Sequence, residues 1–281
     1  MTRTLTVVSP GPLTTVQDEG RRGQAALGIG RSGACDRASY RRANRLLGNE
    51  SGAAVLEVTF GGLVLRADAP VTVVTTGAPC AGGGAHDAPV TLPAGAELRL
   101  GPPASGLRTY VAVRGGFAVE PVLGSRATDV LSGLGPPVLR EGDVLPVGDA
   151  CGDAPGVDVA PSPGPPDGEV QVRVLPGPRR DWFDDDAWAL LTSQVYEVTS
   201  ESNRVGVRLG GEPLERVREG ELPSEGMVRG ALQVPPSGLP VLFLADHPVT
   251  GGYPVIGYVV DDDVDRCGQL RPGQPLRLRA D

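Results

Sequence analysis

The segment VQVRVLPGP, residues 170–178, decides the fold class. Three valines alternate with Gln171 and Arg173, and this period of two is typical of a β-strand with one buried face. Pro-Gly-Pro then ends the strand. Because short β-branched runs bounded by Gly or Pro recur along the chain, we predict an all-β protein with two tandem barrel-like halves and a few short helices.

The other elements follow from the same signals. Helices are predicted at residues 36–47, where Asp36 can cap the first turn, and at 181–191. The segment GPLTTVQDEG, residues 11–20, is interpreted as a turn. The predicted strands are residues 4–8, 54–59, 62–67, 71–76, 97–100, 108–113, 170–175, 194–199, 205–209, 231–234, 241–244, 255–260 and 276–279.

One segment divides the chain. Residues 148–168 are crowded with Pro, Gly and Asp and lack apolar periodicity, which is typical of a linker. We therefore predict an N-terminal β-barrel domain at 1–147 and a C-terminal one at 169–281.

Composition excludes several classes of function. The net charge of −8 leaves no basic face for nucleic acid, and no apolar stretch approaches the length of a membrane span. Residues 1–10 alternate like a strand and lack the apolar core of a signal peptide, so a cytoplasmic protein is expected. The cysteines are widely spaced, which predicts unpaired thiols and no metal site; they are Cys35, Cys80, Cys151 and Cys267.

The chain contains no lysine, so all 26 residues counted as Lys or Arg are arginine. Biotin or lipoyl attachment, Schiff-base formation and the phosphate-binding lysine of a P-loop are therefore excluded. We expect no covalently bound cofactor. Proton transfer must fall to carboxylates, tyrosines, thiols or the two histidines, His86 and His247.

The segment ADHPVTGGYP, residues 245–254, is the most distinctive candidate site. Asp246 and His247 follow an apolar strand and form an acid–base pair of the kind that hydrolysis needs. Backbone N–H groups from Thr250 to Gly252 can face an anion or oxyanion. The alternative is a hairpin turn in which the histidine only makes structural hydrogen bonds.

Other polar residues are candidates for binding a small acid. Two arginines are candidates, Arg126 in LGSRATD and Arg204, which follows Asn203. The guanidinium group of each forms a fork of two N–H donors that suits a carboxylate, although a surface salt bridge is the commoner role of an arginine. Gln233 is placed to orient an amide or simply to end a strand. Glu57, in LEVTFGG, is expected to be a buried carboxylate, which requires a partner.

Many segments, in order and nearly from end to end, resemble the allophanate hydrolase subunit 2 family, also called the biotin-dependent carboxyltransferase-like family. The glycines and the tyrosine of Gly251-Gly252-Tyr253 belong to this pattern. The segments that carry the resemblance are GPLTTVQDEGRRG (11–23), SGACDRASYRRANRLLGN (32–49), LEVTFGG (56–62), YVAVRGGF (110–117), LGSRATD (123–129), VLPGPRRDWF (174–183), SNRVGVRL (202–209), GALQVPPSGLPV (230–241) and ADHPVTGGYPVIG (245–257).

The resemblance implies cyclophilin-like barrels and membership of a heteromeric complex. In the members that this chain resembles most, that complex is an ATP-dependent 5-oxoprolinase with subunits A and B, which opens a small lactam acid. Asp246 or His247 would then be the base, and ATP would be used on a partner subunit. The residues that would bind substrate are Arg126, Asn203, Arg204, Gln233, Thr250, Gly251, Gly252 and Tyr253, with Asp36 and Glu57 as further candidates.

Two alternatives remain open within the same family. One is carboxyl transfer from biotin carried on another chain, as in urea carboxylase. The other is a regulatory or binding subunit without chemistry of its own. The chain also departs from the family pattern at Asn203, His247 and Pro248, where the family usually has an aspartate, an arginine and a polar residue, which would suit a different ligand.

Overall fold

A computed structural model describes residues 3–82, 84–150, 152–156, 158–220 and 222–281. It divides into two compact units. The N-terminal unit contains Met1–Arg21, Ser32–Asp129 and Gly133–Pro165, and the C-terminal unit contains Arg22–Arg31, Val130–Ser132 and Pro166–Asp281. Two short segments of the first predicted domain therefore belong to the C-terminal unit.

The N-terminal unit consists of two β-sheets and one helix, α1 (Arg37–Leu47). One sheet has the strand order β7-β4-β1-β9 and the other β2-β3-β8-β5-β6. A single apolar core contains side chains from both sheets, among them Leu5, Leu56 and Leu65. The strands are β1 (Thr4–Pro10), β2 (Leu13–Gln17), β3 (Val55–Thr59), β4 (Leu63–Ala67), β5 (Val71–Gly77), β6 (Val90–Leu92), β7 (Glu97–Arg99), β8 (Arg108–Val113) and β9 (Val144–Pro146).

Strand β2 corrects the prediction of a turn at residues 11–20. It pairs antiparallel with β3, from Leu13 opposite Thr59 to Gln17 opposite Val55. Four of its five residues are buried, although three of those four are polar. The strand was not predicted because buried threonine and glutamine residues do not produce an alternation of apolar and polar residues.

Helix α1 forms as predicted. The side chain of Asp36 accepts a hydrogen bond from the Ser39 N–H, and Gly48 ends the helix in the left-handed conformation. The buried face includes Tyr40, Ala43 and Leu47, which pack against β5 and β8.

The predicted linker is partly held against the N-terminal unit by Asp87. The Asp87 carboxylate accepts hydrogen bonds from the Ser162 N–H (3.0 Å) and hydroxyl (2.7 Å), and it forms an ion pair with Arg42 (2.9 Å). The Asp87 carbonyl accepts from the Ala160 N–H. Asp87 itself is 4% exposed. This part of residues 148–168 is therefore packed structure, while Cys151 lies outside the described residues.

The C-terminal unit contains a closed barrel in the order β10-β17-β14-β15-β12-β11-β18. Neighbours are antiparallel except β10 and β18, which are parallel and close the barrel. Strands β13 and β16 form a separate ribbon. The strands are β10 (Val170–Pro176), β11 (Val195–Val198), β12 (Gly206–Gly210), β13 (Glu225–Gly226), β14 (Ala231–Gln233), β15 (Val241–Phe243), β16 (Thr250–Gly251), β17 (Val255–Val259) and β18 (Pro275–Ala280). The all-β prediction is confirmed, with a closed barrel in this unit.

Two helices of the C-terminal unit differ from expectation. The predicted helix 181–191 is a 3-10 turn at Arg180–Trp182 followed by α2 (Asp185–Ser193), because Phe183 is extended and Asp184 caps a new helix. Helix α3 (Asp261–Cys267) was not predicted. No helix in the described part of the chain is long and apolar enough to cross a bilayer.

Candidate functional site

Arg204 and Asp246 form a fully buried ion pair in the C-terminal unit. Arg204 Nε lies 2.9 Å from Asp246 Oδ2, and Arg204 Nη2 lies 3.0 Å from Oδ1. Their side chains are 1% and 0% exposed. Asp246 Oδ2 also accepts a hydrogen bond from the Val130 N–H at 3.0 Å.

This pairing changes the interpretation of both residues. A carboxylate held on both oxygens by a guanidinium and by a backbone donor is poorly suited to abstract a proton. The guanidinium, in turn, directs its fork at Asp246. The geometry therefore favours a structural role for this pair over the predicted roles of Asp246 as base and Arg204 as substrate ligand.

His247 lies next to this pair in sequence and is only half-buried. Its Nδ1 is 2.8 Å from the Pro248 carbonyl oxygen. Since a carbonyl oxygen can only accept, Nδ1 carries the proton and Nε2 is the basic ring nitrogen. The ring lies 6.2 Å from that of Phe243, between centroids. Of the predicted acid–base pair, His247 is the residue that lies outside the buried ion pair with Arg204, and its role as the base stays a prediction.

Gln233 is fixed beneath the ribbon formed by β13 and β16. Its Nε2 donates to the Tyr253 carbonyl at 3.2 Å and lies 3.7 Å from Met227 Sδ. A Cβ atom on Gly251 would lie 2.6 Å from Gln233 Nε2, so a larger residue at this position would displace the Gln233 side chain. Gln233 therefore orients the backbone of the GGYP segment, and the amide-binding role stays a prediction.

The remaining residues of the segment are accessible. Thr250 is exposed, Gly252 is half-buried and Tyr253 is 37% exposed. Thr250 and Gly251 form strand β16, which pairs with Glu225 and Gly226, so this stretch is a ribbon strand instead of a turn.

Asn203 has a local structural task. Its Oδ1 accepts hydrogen bonds from the Val205 N–H at 2.8 Å and the Gly206 N–H at 3.4 Å. This arrangement is an Asx turn that leads the chain into β12. The geometry favours turn formation over the predicted contact with substrate.

Glu57 is buried and has partners, as its sequence context predicted. Glu57 Oε2 accepts from the Tyr110 hydroxyl at 2.8 Å and from the Cys35 N–H at 2.9 Å, and Oε1 lies 3.3 Å from Arg108 Nε. Burial, reinforced by the charges of Glu57 and Asp36, raises the pKa of Tyr110 well above its usual value. Tyr110 is therefore a permanent donor to Glu57.

The same network reaches Asp36 at the start of α1. The Asp36 N–H donates to the Tyr110 hydroxyl at 2.7 Å, while the Asp36 carboxylate caps the helix through Ser39. Glu57 and Asp36 thus hold the N-terminus of α1 on strands β3 and β8, which is a structural role.

Asp18 organises the segment around Arg126, a role that sequence analysis missed. Its Oδ2 accepts from the Arg126 N–H at 2.6 Å, and its Oδ1 accepts from the Ser125 hydroxyl at 2.6 Å and the Gly20 N–H at 2.8 Å. Asp18 is 6% exposed. The signal was present, because segments 11–23 and 123–129 both belong to the resembling pattern. Arg126 itself lines a cavity of the N-terminal unit.

The fold and these segments define the class of protein. The family model described as the carboxyltransferase domain, subdomain A and B, matches residues 27–280. The chain therefore belongs to the carboxyltransferase-domain family, and the resemblance seen in its sequence is confirmed.

Two relatives resemble this chain over nearly its whole length. The chain is 36% identical over 285 residues to the C subunit of 5-oxoprolinase from Escherichia coli strain K12, covering 98% of this chain and 90% of that protein. The crystal structure of TTHA0988 superposes with a TM-score of 0.88 at 36% identity, over 99% of this chain and 56% of that one. This chain therefore spans just over half of TTHA0988.

A third relative has a different activity in its name. Kluyveromyces lactis urea carboxylase matches with a TM-score of 0.89 at 27% identity. The match covers 98% of this chain but 27% of that chain. The same domain thus occurs within a much larger protein.

Proposed function

We propose that this chain is the C subunit of an ATP-dependent 5-oxoprolinase, which works with subunits A and B to convert 5-oxoproline into glutamate. The observation that carries this proposal is the 36% identity to the Escherichia coli protein of that name over nearly the full length of both chains. We place the reaction in the cytoplasm, where ATP is supplied.

In this proposal, a partner subunit binds and uses the ATP. The chain has no lysine with which to bind the terminal phosphates in the P-loop manner. It also has no site for covalent biotin. This chain would contribute to the opening of the lactam, and ATP would be consumed elsewhere in the complex.

The group that we assign to proton transfer is His247. Water adds to the lactam carbonyl carbon as Nε2 of His247 takes one of its protons. The carbon–nitrogen bond then breaks, the nitrogen leaves as the amino group of glutamate, and the carbonyl carbon becomes the new carboxylate. The protonated imidazole is positioned to return the proton to the leaving nitrogen.

The rest of the segment would position the substrate. Thr250, Gly252 and Tyr253 are the accessible members of the predicted binding set. The side chain of Gln233 orients the Tyr253 carbonyl by donating a hydrogen bond to it. The Arg204–Asp246 pair anchors the chain one residue before His247, so it supports the site through the backbone.

The experiment is a turnover assay of the complex assembled from this chain and subunits A and B. Glutamate formation from 5-oxoproline should require ATP and should fall at least tenfold with His247→Asn. The matched control is His86→Asn, since His86 is the other of the two histidines and lies in the N-terminal unit. Unchanged turnover with His247→Asn would remove His247 from the chemistry, and turnover without ATP would contradict the proposal itself.

A second candidate function is carboxyl transfer from biotin on another chain. It is favoured by the match to Kluyveromyces lactis urea carboxylase and by the carboxyltransferase-domain family itself. The test supplies a carboxylated biotin carrier with urea as acceptor. Loss of carboxybiotin that depends on this chain and on urea would support transfer, and an unchanged carrier would exclude it for this acceptor.

A further inference from the structure

The N-terminal unit contains a cavity of about 290 Å³, and Arg126, one of the predicted substrate-binding residues, lines it. Its lining includes Asn49, Glu50, Phe117, Arg126 and Asp149. The volume lies close to the lower limit for small-molecule sites, roughly 300–1,000 Å³, so it suits a single small metabolite.

Arg126 is held in this cavity by bonds that leave its fork available. Its backbone N–H donates to Asp18, and its Nε donates to the Val119 carbonyl at 2.7 Å. Among the described residues, neither terminal amino group of this guanidinium has a hydrogen-bond partner. A guanidinium group that is held at Nε, and whose two terminal amino groups are available, can bind both oxygens of a carboxylate.

Part of the cavity lining is held in place by hydrogen bonds and by close backbone contacts. The Asn49 side chain accepts from the Gly115 N–H at 2.8 Å and donates to the Val113 carbonyl at 2.9 Å. Gly115 has a φ of 99°, and a Cβ there would lie 2.1 Å from the Gly148 carbonyl oxygen. The cavity is therefore formed before any ligand arrives, which lowers the entropic cost of binding.

Two further features restrict the ligand. Glu50 and Asp149 also line the cavity, and both are exposed residues. Acidic residues beside Arg126 oppose a simple anion and favour a ligand with a cationic group next to its carboxylate. Phe117 and three alanines also line the cavity, so part of the lining is apolar. A ligand complementary to all of these carries a carboxylate, an ammonium group and a small apolar side chain.

We propose that this cavity binds a small apolar α-amino acid as its zwitterion, with the carboxylate on Arg126 and the ammonium group on the Asp149 side. The cavity belongs to the N-terminal unit and His247 to the C-terminal unit, and the proposal reassigns Arg126 from the lactam substrate to a second ligand. The inference does not depend on 5-oxoprolinase activity.

The test is calorimetric titration of the full-length chain, without partners, with L-valine. Two matched ligands each lack one charge: 3-methylbutanoate lacks the ammonium group and 2-methylpropylamine lacks the carboxylate. We expect both to bind at least tenfold more weakly than L-valine. Arg126→Gln should reduce binding of L-valine at least tenfold, whereas Arg140→Gln, an exposed arginine that does not line the cavity, should leave it unchanged.

Asp149→Asn distinguishes the zwitterion from a plain acid. It should weaken L-valine severalfold without weakening 3-methylbutanoate, and it is an exposed position where a change of fold is not expected. Equal binding of L-valine and 3-methylbutanoate, no binding of L-valine at millimolar concentration, or tighter binding of 5-oxo-L-proline than of L-valine would each overturn the proposal. None of these outcomes bears on the turnover assay, so the two proposals fail separately.

Discussion

Arg126 and Arg204 carry the same side chain and received the same prediction, yet the two units use them differently. Arg204 is 1% exposed and directs its fork at Asp246. Arg126 is half-buried and lines a cavity. Each has an aspartate nearby, but Asp18 bonds the backbone N–H of Arg126, whereas Asp246 bonds the guanidinium of Arg204.

The difference shows how the position of a carboxylate decides the role of an arginine. A carboxylate on the fork neutralises the charge and makes the pair part of the core. A carboxylate on the backbone fixes the residue and leaves its charge for a ligand. Substitutions at the two sites should therefore affect different quantities: stability at Arg204 and ligand binding at Arg126.

The largest effect is expected from Asp246→Ala. It takes this acceptor away from the buried Arg204 guanidinium and from the Val130 N–H, which should lower the free energy of unfolding by about 3–5 kcal/mol. Urea denaturation measures the change. The double variant Arg204→Met with Asp246→Leu should lose clearly less, because no uncompensated charge remains. A loss below about 1 kcal/mol for Asp246→Ala would show that the pair is not structural.

The next effect concerns Gly251. A Cβ there would lie 2.6 Å from Gln233 Nε2 and 3.3 Å from Met227 Cγ, so Gly251→Ala should destabilise by roughly 1–3 kcal/mol and displace Gln233 from the Tyr253 carbonyl. Gly226→Ala is the control, since Gly226 lies on the paired strand and a Cβ there meets nothing within 4 Å. Equal behaviour of the two variants in denaturation and turnover would refute this account of Gly251.

Arg126→Gln should change stability much less than loss of Asp246. It removes the Nε bond to the Val119 carbonyl, so we expect a loss of about 1 kcal/mol in denaturation. If the free energy of unfolding fell as much as in Asp246→Ala, Arg126 would be a residue that stabilises the fold, and the two arginines would not differ in role.

The smallest effect is a pH dependence carried by His86. Burial lowers the pKa of His86, Asp87 raises it and Arg42 lowers it, and the net direction is downward. As pH falls through about 6.5, the unfolded chain takes up this proton before the folded chain, so stability decreases. His86→Asn should flatten the decline in unfolding free energy between about pH 7.5 and 5.5. An equally steep decline in the variant would exclude His86 as its source.

Much of the fold follows from local sequence. Strand β8 was predicted with the observed bounds, 108–113, and α1 was predicted with its Asp36 cap. Helix α3 was missed because its sequence DDDVDRC has few apolar residues. Its acidic first turn suits the helix dipole, and the bond from the Arg173 N–H to Asp263 ties it to β10.

The site was less predictable, because its contacts join distant segments. Arg204 and Asp246 meet only because β12 and β15 are antiparallel, with Gly206 opposite Phe243, and the ladder continues through the Asp246 N–H to the Arg204 carbonyl. Local sequence offers no reason to pair them. Conversely, the burial of Glu57 was predictable, since an apolar strand surrounds it.

The most direct test of the proposed function is a titration of this chain into fixed amounts of subunits A and B, with 5-oxoproline and ATP present. The account predicts that glutamate formation rises with added chain and saturates at a fixed ratio to the partners. Glutamate formation by A and B alone, at a rate that this chain does not change, would contradict its assignment as the third component of the enzyme.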